Sequence, residues 1–185
     1  MKSTLAKLSV AIAALSYGYM TVTTSMGSGE GLSFTTFILW SFLAGIACYN
    51  LIKEKGSWGI AAMYTAGATS VAVTLICKGR MAWSNIDTLI AILVAICVYL
   101  SKTKGPKWGL IASVAAGVIA GIPFIILTWK NPATSPIIPN AGFLIGNSLS
   151  FFAGKTWKME DRLYGGANAA ACILLVMPWV LWRFA

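Results

Sequence analysis

The chain has 185 residues, of which 58% are hydrophobic and 10% are charged, and its mean hydropathy is +0.78. Because a soluble domain carries about 25% charged residues, this composition excludes a soluble globular protein and a disordered chain. The 14 Lys and Arg residues against 5 Asp and Glu residues give a net charge of +9. In a membrane protein such an excess belongs at the cytoplasmic ends of helices, so it does not indicate nucleic-acid binding. The sequence predicts an all-α integral membrane protein whose surroundings are the lipid bilayer.

Seven apolar runs follow one another along the chain. A bilayer core is crossed by about 20 apolar residues in a helix, and the runs cover residues 8–29, 31–52, 56–77, 81–101, 108–129, 131–154 and 163–182. The first run follows Lys2 and Lys7 as in a signal peptide, but no small-residue cleavage site comes after it, so we expect it to be retained. The fourth run includes Asp87, which we expect at the interface, paired with Arg80. We therefore predict seven transmembrane helices.

The basic residues predict the orientation. With seven spans, ten of the 14 Lys and Arg residues share a side with the N-terminus. The positive-inside rule then predicts a multi-pass protein of a bacterial-type plasma (inner) membrane, with the N-terminus in the cytoplasm and the C-terminus outside. Aromatic residues near the span ends fit an interfacial belt: Trp58, Trp83, Trp108, Trp129, Trp157, Tyr164 and Trp182.

Two internal similarities compete. A shift of 106 residues pairs the first three helices with the last three, through Phe37 with Phe143, Ala47 with Ala153, Glu54 with Glu160, Gly59 with Gly165 and Ala61 with Ala167. A second similarity relates the hairpin at residues 48–59 to the one at 97–109. We favour the first, because it extends through whole helices. It predicts a 3+1+3 layout of two three-helix bundles, with residues 1–80 as the first bundle, 81–104 as a linker transmembrane helix and 105–185 as the second bundle.

The middle of the membrane is expected to contain no ionisable side chain. The chain has no histidine, and its four cysteines show no CxxC spacing, so neither a metal site nor a bound cofactor is predicted. Without a nucleophile and base constellation, we expect no enzyme. Pumps driven by protons or sodium need charged groups at this depth, so the pattern favours passive movement of a neutral solute.

Neutral polar and aromatic residues near mid-depth are the candidate site. We select Asn168, Trp40, Tyr64, Asn147 and Tyr17 as substrate-binding residues. A buried amide must find partners, and for both asparagines the sequence leaves open whether those lie on another helix or in a wet cavity. Pro123 interrupts the amide pattern of the fifth span and is the candidate gating hinge.

The second half contains the short motifs Gly121-Ile122-Pro123, Ser135-Pro136, and Asp161 followed seven positions later by Asn168. The first half has a fainter counterpart in Gly31-Leu32-Ser33 and Phe37. These motifs resemble the PQ-loop superfamily, which includes SWEET sugar facilitators and PnuC-type vitamin transporters. Ala62 stands near the position where the first half should have its matching asparagine, and there is no Pro-Gln dipeptide. The resemblance implies solute binding between two bundles that rock to give alternating access. It also implies hydrogen bonding by Asn168, ring stacking on Trp40 or Tyr64, and hinging at Pro123.

We therefore expect a facilitative transporter for a small neutral polar solute that is sugar-like, nucleoside-like or vitamin-like. Two alternatives stay open at this point: an oligomeric channel, and a scaffold that binds a partner in the membrane without transporting anything. The Gly- and Ala-rich helices also leave open association into a homo-oligomer.

Overall fold

The computed structural model describes residues 2–28, 32, 34–81 and 85–184, without the side chains of residues 28, 86, 87, 123 and 134. Within those ranges every regular element is a helix, which confirms the all-helical class. The seven α-helices are α1 Lys2–Thr23, α2 Phe34–Lys53, α3 Gly59–Cys77, α4 Asn85–Thr103, α5 Pro106–Lys130, α6 Ile137–Ala153 and α7 Met159–Phe184. Each predicted span overlaps one of them.

Five of the described helices are long and apolar enough to cross a membrane, as expected of a membrane protein. They cover Lys2–Gly27, Phe34–Lys53, Gly59–Cys77, Pro106–Lys130 and Met159–Phe184. The apolar helices Thr88–Thr103 and Ile137–Ala153 are shorter.

The sixth predicted span begins too early. The sequence predicts one helix over residues 131–154, but α6 starts only at Ile137, after a short 3-10 turn at Pro132–Thr134 and an extended Ser135. Proline lacks an amide hydrogen and disfavours helical geometry in the residue before it, so Pro132 and Pro136 keep this segment out of the helix. Apolar length alone did not reveal this, because proline and alanine do not interrupt an uncharged run.

Six helices close into a ring. α1 packs against α3, α3 against α2, α2 against α5, α5 against α7, α7 against α6, and α6 against α1. The described residues of α4 pack mainly on α5 and α2, so this helix lies outside the ring. Its apolar contact joins Ile90 and Cys97 to Leu39, Leu43 and Ala116, and Ser101 donates a 2.6 Å hydrogen bond to Asn50 Oδ1. The ring leaves an enclosed space that belongs to no single helix pair.

One end of the ring collects the start of α1 and the α2–α3, α4–α5 and α6–α7 connections; we call it the lysine-rich end. Lys2 Nζ lies 3.4 Å from the Lys155 carbonyl oxygen, and Lys155 Nζ lies 3.4 Å from that of Lys55. Lys107 and Glu160 form a 2.6 Å ion pair. The segments that the charge pattern assigned to one side of the membrane therefore lie together.

The α2–α3 connection and the α6–α7 connection are separated by 100 residues: α2 ends at Lys53 and α6 at Ala153, while α3 begins at Gly59 and α7 at Met159. The starts of α1 and α5 and of α2 and α6, and the ends of α1 and α5 and of α3 and α7, differ by 103 to 107 residues. The separation between the two halves therefore varies along the chain, and it brackets the 106 of the sequence identities.

Some predictions concern parts of the chain outside the described residues. They include the pairing of Asp87, the interfacial Trp83, and Gly31 and Ser33 of the motif. The backbone of α5 is helical through Pro123, and nothing is described of that side chain.

Candidate functional site

A cavity of about 90 Å³ lies inside the ring, and all six ring helices contribute to its wall. α4 contributes none of the described lining residues. Four of the five predicted binding residues line this space: Tyr17, Trp40, Tyr64 and Asn168. They come from α1, α2, α3 and α7, so the fold brings together side chains that are far apart in sequence.

An aromatic cluster forms one wall. The Tyr17 ring lies 5.3 Å from Tyr64 and 4.6 Å from Phe143, measured between ring centroids, and Tyr64 lies 6.0 Å from Tyr164. The tilted and edge-on arrangements match the geometry that aromatic quadrupoles favour. Gly67 permits the cluster, because a Cβ there would collide with the Tyr17 ring.

Trp40 belongs to a second aromatic group on the α2 and α5 side. Its ring centroid lies 5.6 Å from that of Phe37 and 6.4 Å from that of Phe124. Gly121 lies beside it, and a Cβ at that glycine would come within 3.4 Å of Trp40 Cζ2. The cavity is therefore bounded by rings on two sides.

Asn147 is fully buried and is not among the described lining residues. Its side-chain nitrogen donates to the Tyr64 hydroxyl and, at 2.8 Å, to the carbonyl oxygen of Phe143 in its own helix. It therefore orients a cavity tyrosine from α6, which is the inter-helix role that the sequence left open for it. Asn168 does line the cavity, with its side-chain nitrogen bound to the Tyr164 carbonyl oxygen at 2.8 Å.

Asn140 is a cavity residue that the sequence did not single out. It lies in the first turn of α6, only 1% of it is exposed, and its side-chain nitrogen has no hydrogen-bond partner in the described part of the chain. The same holds for the indole nitrogen of Trp40. Because the sequence predicts residues 131–154 as one long span, Asn140 does not stand out there as a residue of a binding wall.

No protein-family model, curated protein or solved structure matches the chain. The chemistry of the site therefore follows from its own residues.

The described wall is uncharged. Its polar members carry hydroxyl, amide, indole and thiol groups: Tyr17, Trp40, Tyr64, Ser113, Asn140, Tyr164, Asn168 and Cys172. In the ranges that the structure covers, no group of three His, Cys, Asp or Glu residues could hold a metal ion. Such a wall can offer hydrogen bonds and ring contacts to a neutral molecule, and its described residues include no charged side chain to pair with a buried ion.

The lysine-rich end is closed by a buried carboxylate. Asp161 Oδ1 accepts the Ser57 backbone N–H at 2.8 Å, and Oδ2 accepts that of Thr156 at 2.6 Å. Ser57 lies in the α2–α3 connection and Thr156 in the α6–α7 connection. A single side chain thus joins the two connections, one helical turn from the cavity residue Tyr164.

Arg162, 5% exposed, holds the end of α6 beside this carboxylate. It donates to the carbonyl oxygens of Phe151 and Thr156, the latter at 2.8 Å, and its guanidinium carbon lies 3.6 Å from the Trp157 ring centroid. A cation at a helix C-terminus satisfies carbonyls that have no partner within the helix. Arg162 is not among the site residues predicted from the sequence; the signal that could have found it is the Glu-Asp-Arg triplet just before the last predicted span.

Proposed function

We propose that the protein is a facilitative transporter for a small neutral polar solute, sugar-like or nucleoside- or vitamin-like, that works by alternating access. The observation that carries the proposal is the uncharged cavity enclosed by six helices. A solute in that space meets aromatic faces and neutral hydrogen-bonding groups. Since charge in a low-dielectric site is costly unless it is paired, the wall selects for uncharged cargo.

The order of helices in the ring supports a 3+1+3 arrangement, with α4 as the linker. Going round the ring, α1, α3 and α2 are followed by α5, α7 and α6. α1, α3 and α2 thus correspond in order to α5, α7 and α6, the helices whose numbers are higher by four. This is expected of two parallel repeats related by an axis normal to the membrane. On this proposal the bundles are residues 1–80 and 105–185, and membership of the PQ-loop superfamily is part of the same proposal.

Lining residues at equivalent positions support the repeat as well. At the separation of 100 residues given by the α2–α3 and α6–α7 connections, the cavity residues pair as Tyr17 with Gly117, Trp40 with Asn140, Leu43 with Phe143, and Tyr64 with Tyr164. Corresponding positions of the two halves therefore face one shared space. Binding between repeats is the arrangement on which alternating access depends.

The size of the cavity supports a moving structure rather than a fixed pore. Its volume of about 90 Å³ is well below the roughly 300–1,000 Å³ of typical ligand sites. The contacts of Asp161 draw two connections together at the lysine-rich end, which supports a contracted conformation on that side. Admitting a sugar or nucleoside requires the halves to separate, and Pro123 in α5 is the proposed hinge for that motion.

We assign the lysine-rich end to the cytoplasm and the C-terminus to the outside of a bacterial-type plasma membrane. The support is the concentration of Lys and Arg at that end of the bundle.

The test is uptake by proteoliposomes that contain the purified protein, using labelled glucose, uridine and riboflavin. We expect saturable uptake of at least one solute, which stops when the internal concentration equals the external one. Imposed proton or sodium gradients should leave the initial rate unchanged, because no charged group of the described wall can couple to them. Protein-free liposomes are the control.

Uphill accumulation driven by either gradient would contradict the proposal. So would unitary currents across a planar bilayer, which indicate a channel, or no flux of any solute from protein that remains folded.

A further inference from the structure

Two hydrogen-bond donors of the cavity wall are buried without partners. The indole nitrogen of Trp40 and the side-chain nitrogen of Asn140 have no acceptor within the described residues, and both residues line the cavity. A buried donor without an acceptor is costly and uncommon in folded proteins. In this conformation the surrounding atoms cover both nitrogens, so a ligand reaches them only when the cavity widens, and it would then supply the missing acceptors.

Two other polar side chains of the wall already donate to carbonyl oxygens of their own helices. Ser113 donates to the Leu110 carbonyl oxygen at 2.9 Å, and Asn168 donates to that of Tyr164 at 2.8 Å. These bonds exist without a ligand, so they leave little for it to satisfy. Trp40 and Asn140 differ from them in that no described acceptor on α2 or α6 takes up their hydrogens.

The two donors occupy corresponding positions of the two halves. Trp40 lies 13 residues before the last residue of α2, and Asn140 lies 13 residues before the last residue of α6. The indole N–H can only donate, and the unsatisfied atom of Asn140 is also a donor. Each of them therefore needs an acceptor atom on the ligand, so the ligand must present one acceptor to each half of the protein.

The rest of the wall restricts the shape of the ligand. Tyr17, Tyr64 and Phe143 present rings from one side, and Phe37 and Phe124 lie with Trp40 on the other. Rings on both sides favour a flat molecule that packs against aromatic faces. An uncharged planar ring with an acceptor at each of two opposite ends meets all these demands.

We propose that Trp40 and Asn140 are a pair of substrate-binding donors, one from each half, that hold an uncharged planar ring solute through two acceptor atoms. This inference rests on the proposed function, since it names the class of solute for the same cavity. It gives Trp40 a hydrogen-bonding role where stacking was expected, and it adds Asn140 to the site.

The test uses three ring compounds of nearly equal size that differ in their number of acceptors. Pyrazine has two acceptor nitrogens at opposite ends, pyridine has one, and benzene has none; all are uncharged at pH 8. Each is titrated against the purified full chain in detergent, and the affinity is taken from the concentration dependence of the melting temperature. We expect the affinity to follow pyrazine, then pyridine, then benzene, with about two- to tenfold between steps, since one hydrogen bond contributes that much.

Single substitutions identify the donors. Trp40→Phe keeps an aromatic ring and removes the N–H, and Asn140→Leu keeps a similar volume and removes the amide. Either change should bring the affinity for pyrazine to within about twofold of the affinity for pyridine, because only one donor remains. The double variant should bind all three compounds with equal affinity. Trp108→Phe is the matched control, since Trp108 is 55% exposed and is not among the lining residues, and it should keep the wild-type order.

Equal affinity for the three compounds in the wild type, or no binding by any of them, overturns the donor pair. A pyrazine affinity that stays more than about twofold above the pyridine affinity in Trp40→Phe overturns it too, and this variant carries the test alone if Asn140→Leu does not fold. The two proposals fail separately. If proteoliposomes show flux but the affinities do not follow the number of acceptors, the donor pair is wrong and the transporter proposal stands. If the affinities follow that order but there is no flux, the binding site stands and transport is wrong.

Discussion

At the scale of single residues, the cavity depends on small side chains that let large ones enter. Gly67 of α3 makes room for the Tyr17 ring, and Gly121 of α5 lies against Trp40. Ring contacts then fix Tyr17 against Tyr64 and Phe143. The hydropathy of the chain is insensitive to these choices, because glycine, alanine and an aromatic residue are all compatible with a membrane span.

Replacing Gly67 by alanine should move the Tyr17 ring and destabilise the fold. The added Cβ collides with the ring in a packed interior, and overpacking of this kind costs about 1–3 kcal/mol. Thermal unfolding in detergent measures the loss, together with weaker binding of any cavity ligand. Gly18→Ala is the matched control, since a Cβ at Gly18 meets no atom within 4 Å. Equal melting temperatures of the two variants would refute the close contact.

At the scale of helices and their connections, a few long-range polar contacts fasten the ring. Ser101 of α4 donates to the buried Asn50 of α2, which helps hold the linker helix outside the ring. Asp161 of α7 accepts one hydrogen bond from each of two connections, and Arg162 satisfies carbonyl oxygens at the end of α6. Hydrogen bonds to charged groups are stronger than neutral ones, so these contacts stabilise the closed end.

Asp161→Asn should loosen the lysine-rich end. The two carboxylate oxygens each accept a different backbone N–H, whereas an amide offers one acceptor oxygen and points a donor at the second N–H. We expect a loss of about 1–3 kcal/mol in unfolding free energy and faster hydrogen exchange at Ser57 or Thr156. Glu160→Gln is the control, because its partner Lys107 has a half-exposed side chain and such surface pairs contribute little. If the Asp161→Asn variant exchanges no faster than the wild type at either amide, the carboxylate does not fasten the connections.

At the scale of the whole molecule, the six-helix ring leaves one space that both halves share. The proposed cycle requires this space to widen and to change sides, while α4 remains on the outside. A substitution that fills the cavity should therefore reduce transport without lowering stability, because it leaves the packing between the six helices intact.

Gly117→Leu should block transport while leaving the protein folded. Gly117 lines the cavity and a Cβ there meets no atom within 4 Å, so a leucine extends into the open space. We expect a loss of at least about tenfold in flux. The melting temperature should equal or exceed that of the wild type, because the leucine side chain occupies open space in the cavity without colliding with its neighbours. Gly18→Leu, at an exposed position of α1 with equal room for a Cβ, should retain flux. Undiminished flux in Gly117→Leu would show that the solute does not pass through this cavity.

The amino-acid sequence by itself determined the helical membrane character, the seven α-helices and the clustering of basic loops. These features follow from local properties, since roughly 20 apolar residues between charges form a helix wherever they pack. Four of the five selected binding residues also line the cavity, because polar and aromatic groups deep in apolar runs avoid lipid by facing inward.

Only the tertiary structure decided which residues meet. The shared cavity, the unpartnered donors of Trp40 and Asn140, and the bridging by Asp161 all depend on contacts between segments distant in sequence. Hydropathy measures the transfer of one segment into lipid, and it contains no information on which face of a helix turns toward which neighbour. That choice is made by close packing of Gly, aromatic and amide side chains across the ring, and it creates the cavity.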